Sequence, residues 1–379
     1  MAGQARDHRL DFFRGAALFF IFVDHIPDNM ASYLTLHSVA FSDAAEVFIF
    51  ISGYTAALVY ARAMAREGWL MASARIMRRV WQLYVAHLCL FMIYNAEVAY
   101  TVRRFNNPLF IEELNAGAFL DDPAATVVRV LLLQFQPNFL DILPLYIALL
   151  ATFPLVLLAM RRHLLLALIP SVLLYAAVRI WGLNMPGYPD GRTWVFDPFA
   201  WQLLFVIGAA FGLSGARGAV LVKPRPWLLP AAFVACAAGL VIQGSWILND
   251  LFDTPMVLHR ALWPVEKTTL SPLRIANMLA LAFVAAKLIP VDAGFLRRRP
   301  AWLVVLCGQN SLEMFCLSIL LSLMGNAIFS VAGTTPLVQI GVNGGGIAVL
   351  LGFGLLLAWF DGGGRLPRPA PRPGHREDA

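Results

Sequence analysis

The chain has 379 residues, 59% of them hydrophobic and only 14% charged, with a mean hydropathy of +0.69. A soluble domain is nearer about 45–50% apolar and ~25% charged, so the composition excludes a water-soluble globular protein and indicates a polytopic membrane protein. The net charge of +6 falls in short stretches between apolar runs, which is the signature of membrane topology and not of a nucleic-acid-binding face.

A helix needs about 20 mostly apolar residues to cross the hydrocarbon core. Ten segments meet that requirement, near residues 10–30, 42–61, 78–100, 139–160, 163–181, 199–215, 226–246, 272–290, 301–330 and 336–360. The fold expected is therefore an all-α membrane bundle of about ten transmembrane helices. The first segment is no cleaved signal, because it carries Arg14, Asp24 and His25 and lacks a small-residue cleavage site. Placing the amino terminus in the cytoplasm puts twenty of the 29 Lys and Arg on the inner side, with at least two in every inner loop. Both termini are then cytoplasmic. The long outer loops are 101–138, 182–198 and 247–271, rich in Asn, Pro, Trp and acidic residues. Residues 1–360 read as one membrane domain. Residues 361–379, "DGGGRLPRPAPRPGHREDA", read as a disordered basic cytoplasmic tail. Cys89, Cys236, Cys307 and Cys316 lie in apolar runs with no CxxC pair, so they read as small buried hydrophobes.

Costly polar groups in apolar segments mark the candidate site. Arg14 and His25 are eleven residues apart, roughly 1,100° of helix, so they share a face about 16 Å apart along the axis. A snorkelling arginine and an interfacial histidine account for that pair equally well. In the second segment Asp43, Glu46 and Gly53 share a face, with both carboxylates at the depth of His25. An imidazole beside a carboxylate is the layout of a general base; a buried structural ion pair is the plain alternative. Asp24, Asn138, Asp141, Gln202 and Lys267 gather on the same outer side, and Gln309 and Glu313 stand at i and i+4 in the ninth segment. His87 and Asn277 read as satisfied contacts between helices. On the inner side Arg75, Arg78 and Arg79 are numerous enough to hold a polyanion, although topology alone explains them. No Walker loop, GxGxxG, HExxH, GxSxG or zinc spacing is present, so no metal site is expected.

The string "RLDFFRGAALFFIFVDHIP…FSDAAEVFIFISGYTAAL", with "FQPNFLDILPLY", "FAWQLLFVIG", "KTTLSPLR" and "GQNSLEMFC", resembles the OpgC-type branch of the acyltransferase 3 superfamily, the succinyltransferases of osmoregulated periplasmic glucans. Arg14 and His25 match that superfamily's Arg-x10-His signature. The resemblance runs through most of residues 6 to 325. It implies a ten-helix enzyme of the bacterial inner membrane that takes an acyl group from cytoplasmic succinyl-CoA to a glucose hydroxyl of a periplasmic β-glucan. No permanently bound cofactor and no nucleic acid are implied, and a homo-oligomer is left open. On this reading His25 is the base, Asp43 or Glu46 orients it, and Arg14 guides the donor. Asp24, Asn138, Asp141, Gln202, Lys267, Gln309 and Glu313 serve substrate, and Arg75, Arg78 and Arg79 serve acyl-CoA. Acetylation of another envelope polysaccharide is the runner-up. A sugar or anion transporter is the rival from another class, although no repeat is visible and the polar groups lie toward one end.

The charge pattern yields a direct test of topology. Alkaline phosphatase fused after Ala379 should be inactive, and the same reporter inserted after Asn184 should be active.

Overall fold

Asp7 starts the first helix by accepting the Arg9 N–H, and α1 runs His8–Asp24 until the Ile26-Pro27 step ends it. The structure is a computed structural model, and it describes residues 6–105, 117–223, 225–252 and 265–365. After a 3-10 turn at Met30–Leu34 come α2 Leu36–Val39, α3 Ala44–Phe105, α4 Gly117–Asp121, α5 Pro123–Leu131, α6 Ile142–Arg162 and α7 Leu165–Trp181. Then follow α8 Pro198–Ala216, α9 Leu228–Phe252, α10 Pro272–Leu288, α11 Arg299–Gln309, α12 Ser311–Ala332 and α13 Pro336–Asp361. The protein is all-α: among the described residues the only extended pairing is one isolated bridge between Pro186 and Thr193.

Each of the ten predicted segments falls on a helix, and three details differ from expectation. Segments 42–61 and 78–100 belong to one helical run, α3, interrupted only at Gly68 (φ 86°, ψ 173°). The expected inner loop between them is helical because "ARAMAREGWLMASARIMRR" is built of strong helix formers apart from that glycine. Segment 301–330 is two helices, parted at Asn310 (φ −109°, ψ 46°). Gln309 and Glu313 therefore lie on opposite sides of a break and are not an i, i+4 pair. Among the described residues six helices are long and apolar enough to cross a membrane: α3, α6, α8, α12, α13 and the stretch Leu228–Ser245 of α9. At 17 residues, α1 is about 25 Å long, a little under the ~30 Å core. The tail beyond Arg365, and the expected loop residues 106–116 and 253–264, lie outside the described residues.

The chain divides into two compact units, Met1–Ala31 with Phe283–Ala379, and Ser32–Ala282. In the first, α1 packs on α11 and α12. A Cβ on Gly15 would strike the Val304 carbonyl, and one on Gly308 the Asp11 carbonyl. In the second, α3 packs most extensively on α8. There Gly53 abuts the Phe205 carbonyl, Gly208 the Phe50 carbonyl and Gly212 the Tyr54 carbonyl, so that any Cβ would collide with the partner's backbone. Small residues allow this approach, which is how helices associate where no hydrophobic effect separates side chain from lipid. The contact lies one to three turns from the end of α3 that carries the polar site.

Inserting a side chain into that crossing should be costly. Gly208→Leu should lose roughly 1–3 kcal/mol or more through overpacking, read as a lower thermal-unfolding midpoint in detergent. Gly244→Ala, with open space around its Cβ, should leave the midpoint unchanged or raise it.

Candidate functional site

The start of α3 reads Asp43-Ala-Ala-Glu46 and closes as a reciprocal cap. Asp43 Oδ1 accepts the Ala45 N–H at 2.8 Å, and Glu46 Oε2 accepts the Asp43 N–H at 2.9 Å. Each carboxylate keeps one further oxygen, and both of these go to Arg274 of α10. Its Nε donates to Glu46 Oε1 at 2.5 Å and its Nη2 to Asp43 Oδ2 at 3.0 Å. Lys267 Nζ lies 2.8 Å from the same Asp43 Oδ2 and 5.2 Å from the Phe196 ring centre. Glu46, Asp43 and Arg274 are buried, whereas the Lys267 side chain is 43% exposed. Two carboxylates and two cations thus form one compensated cluster, as buried charges require.

The turn that delivers Lys267 is held on every side. Trp201 Nε1 donates to the Lys267 and Thr268 carbonyls, Asp197 N–H to the Thr268 carbonyl, and Tyr175 O–H to the Leu270 carbonyl. Leu270, fully buried, sits in the left-handed region at φ 50°, a conformation that bulky side chains keep only under external constraint. Asp197 caps α8 through Phe199 N–H, and burial pushes its carboxyl up to about 6.

In the other unit, His25 closes α1. Its backbone N–H and its ring Nδ1 both meet the Ile21 carbonyl, the ring at 2.6 Å. With Nδ1 donating, Nε2 is the acceptor nitrogen of the neutral ring. Arg14, half-buried, lies on the helical face of Leu18, Ile21 and His25. Asp24 is the last residue of α1.

The predicted site residues are therefore distributed between both units. Asp43, Glu46 and Lys267 come together, and Asp141, the residue before α6, is within electrostatic reach of Asp43 and Lys267. Gln202 spends its amide on helix pairing, accepting from Ser171 Oγ at 2.6 Å and donating to the Ser171 and Phe199 carbonyls. Asn138 lies in the turn between α5 and α6. Gln309 ends α11, and Glu313 is exposed in the first turn of α12. Arg75 and Arg78 are exposed and Arg79 half-buried; Arg75 pairs with Glu67 at 2.7 Å and Arg79 donates to Gln82 at 3.3 Å. Asn277 makes the expected interhelical contact, donating to the Ala235 carbonyl of α9 at 3.4 Å, and it also accepts from Ser42 Oγ at 2.9 Å. His87 does not: it is fully buried with neither ring nitrogen hydrogen-bonded. Two residues escaped the sequence reading. Arg274 was not singled out, although a lone charge in the first turn of the apolar segment 272–290 was the available signal. His37, within electrostatic reach of Asp43, Lys267 and Arg274, gave no signal in the sequence.

The profile of a protein family described as "OpgC protein" matches residues 6–362. No curated protein and no solved structure matches the chain.

Arg274 generates a stability prediction. Arg274→Met leaves Glu46 and Asp43 buried without their fork and should cost about 3–5 kcal/mol, seen as a lowered unfolding midpoint. Arg274→Lys cannot span both carboxylates and should recover only part, whereas adding Glu46→Gln to Arg274→Met should recover stability by removing the stranded charge. Equal midpoints for single and double variants would contradict the assignment.

Proposed function

The chain belongs to the OpgC protein family, and from that premise we propose that it is an acyltransferase of the bacterial inner membrane. It moves a succinyl group from cytoplasmic succinyl-CoA to glucose hydroxyls of periplasmic β-glucans. The observation that carries the proposal beyond the family is the His25 ring, fixed through Nδ1 on the Ile21 carbonyl. A general base needs a defined tautomer with its acceptor nitrogen available to the proton that moves, and this bond supplies the tautomer.

In the proposed reaction the glucose oxygen attacks the thioester carbonyl while Nε2 takes the hydroxyl proton. A C–O ester bond forms, the C–S bond breaks, and the proton returns from the imidazolium to the departing CoA sulfur. No acyl-enzyme is required. Arg14, on the same helical face and nearer the amino terminus, holds an anionic portion of the donor. Arg75, Arg78 and Arg79 attract the CoA phosphates electrostatically. Asp43 and Glu46, with their oxygens committed to the α3 cap, Arg274 and Lys267, hold the larger unit's polar cluster in place.

The test is mass spectrometry of periplasmic glucans from a deletion strain complemented with wild type, His25→Ala or His25→Gln. Wild type should add the mass of one succinyl group per substituent. Either variant, at equal membrane abundance, should lower the initial rate by about 10²–10⁴-fold, the usual worth of a general base. An acetyl increment would move the donor assignment to acetyl-CoA. Unmodified glucans with wild type would refute the acceptor, and full modification with His25→Ala would refute the base.

A further inference from the structure

Near the segment that joins α5 to α6 lies a hydroxyl with no hydrogen-bond partner among the described residues. Tyr94 of α3 is wholly buried, and its O–H has no hydrogen-bond partner. Gln136, also buried, donates its amide NH2 to the Leu133 carbonyl but leaves Oε1 without a partner. Buried polar groups are normally satisfied, and those that are not call for an explanation. The two belong to one neighbourhood. Phe135, next to Gln136, packs edge-on against Phe91, one turn before Tyr94, with ring centres 6.1 Å apart. Tyr94 is within electrostatic reach of Asp141 and Glu97, and Asp141 of Lys267 and Asp43.

The charges of this neighbourhood select the ligand. Four carboxylates, Asp43, Glu46, Glu97 and Asp141, stand against Lys267, Arg274 and Arg129, the last of these donating to Gln134 Oε1 and lying over the Tyr188 ring. Arg274 is committed to Glu46 and Asp43, and Lys267 to Asp43. An additional anion, whether an acyl carboxylate or a phosphate, would meet excess negative charge. A neutral ligand rich in hydroxyls would instead find acceptors in Asp141 and Gln136 Oε1 and a donor in Tyr94. Because Tyr94 is buried, a ligand reaches it only if its surroundings yield, and segment 133–141 is the neighbouring stretch between helices. Leu133 (φ 59°) and Phe139 (φ 75°) hold that segment in the left-handed region, strain that is characteristic of functional segments.

We propose that Tyr94, Gln136 and Asp141 form the subsite for a neutral hexose unit of the acceptor, with Asp141 and Gln136 accepting its hydroxyls and Tyr94 donating to it. This rests on the acyl-transfer reading for its kinetic consequence but not for binding itself.

The test uses the full chain in nanodiscs, with a neutral β-glucan oligosaccharide as probe. Calorimetric titration without donor, then steady-state kinetics with succinyl-CoA, compares wild type with Tyr94→Phe and Asp141→Asn. Both variants should weaken oligosaccharide binding and raise the acceptor KM by about tenfold or more, leaving the donor KM in place. Tyr94→Phe removes an unsatisfied buried hydroxyl, so a merely structural tyrosine predicts unchanged kinetics and an equal or higher unfolding midpoint. Unchanged acceptor KM and binding, or acceptor and donor KM moving in step, would overturn the subsite. Binding that wild type shows and Tyr94→Phe loses, in a protein that transfers no acyl group, would uphold the subsite and overturn the reaction.

Discussion

The Arg274 fork is the interaction on which the larger unit is organised. Taking ions out of water costs several kcal/mol each even after relaxation. A chain this apolar holds Asp43 and Glu46 at a helix start only if something compensates them. Arg274 does so through two parallel donations from one planar group, while the carboxylates' remaining oxygens cap α3. A lysine in its place would offer a single point of attachment. The cluster therefore joins α10 to α3, and through Lys267 it also fixes the turn that carries Trp201, Asp197 and Tyr175 as its hydrogen-bond partners.

Ions and glycines divide the work along α3. At its start, attraction between charges defines the position of α10. Further along, Gly53 meets α8 at backbone distance, with Gly208 and Gly212 returning the contact. Neither device depends on the hydrophobic effect, which lipid largely cancels between helices. The second device brooks no added atom, and the first tolerates no missing one. Polar side chains mounted on such elements are held in place by packing before any substrate arrives, as catalytic and binding geometry demands.

What could be read in the sequence follows from which forces are local. Hydropathy is local, so the long apolar helices were legible, whereas the short α4 and α5, inside the expected outer loop 101–138, were not. The continuity of α3 was not, because the polar stretch 62–77 looks like a loop to a hydropathy ruler although its residues favour helix. The break at Asn310 was passed over because hydropathy averages the polar stretch 308–313, "GQNSLE", into its apolar flanks. Asp43 and Glu46 were legible as a pair on one face, since i, i+3 spacing is local. Their partner was not: Arg274 lies 228 residues beyond Glu46, and only the tertiary fold brings them together. Gln202 stood out as a polar group in an apolar helix, and its use in pairing with Ser171 could not be told from a ligand role by spacing alone.

The orientation of His25 shows a more general economy. A carboxylate beside the imidazole was the arrangement expected from its spacing. The contact made by its Nδ1 is with the Ile21 carbonyl. The Ile21 carbonyl already accepts the His25 N–H, and the ring takes its second lone pair where Pro27 stops α1. The same helix end presents the negative pole of the macrodipole to the ring. In the proposed reaction that pole faces the positive charge that develops when Nε2 takes a proton. A carboxylate would act in the same sense but would add another ion, whereas a helix terminus does so with no added charge.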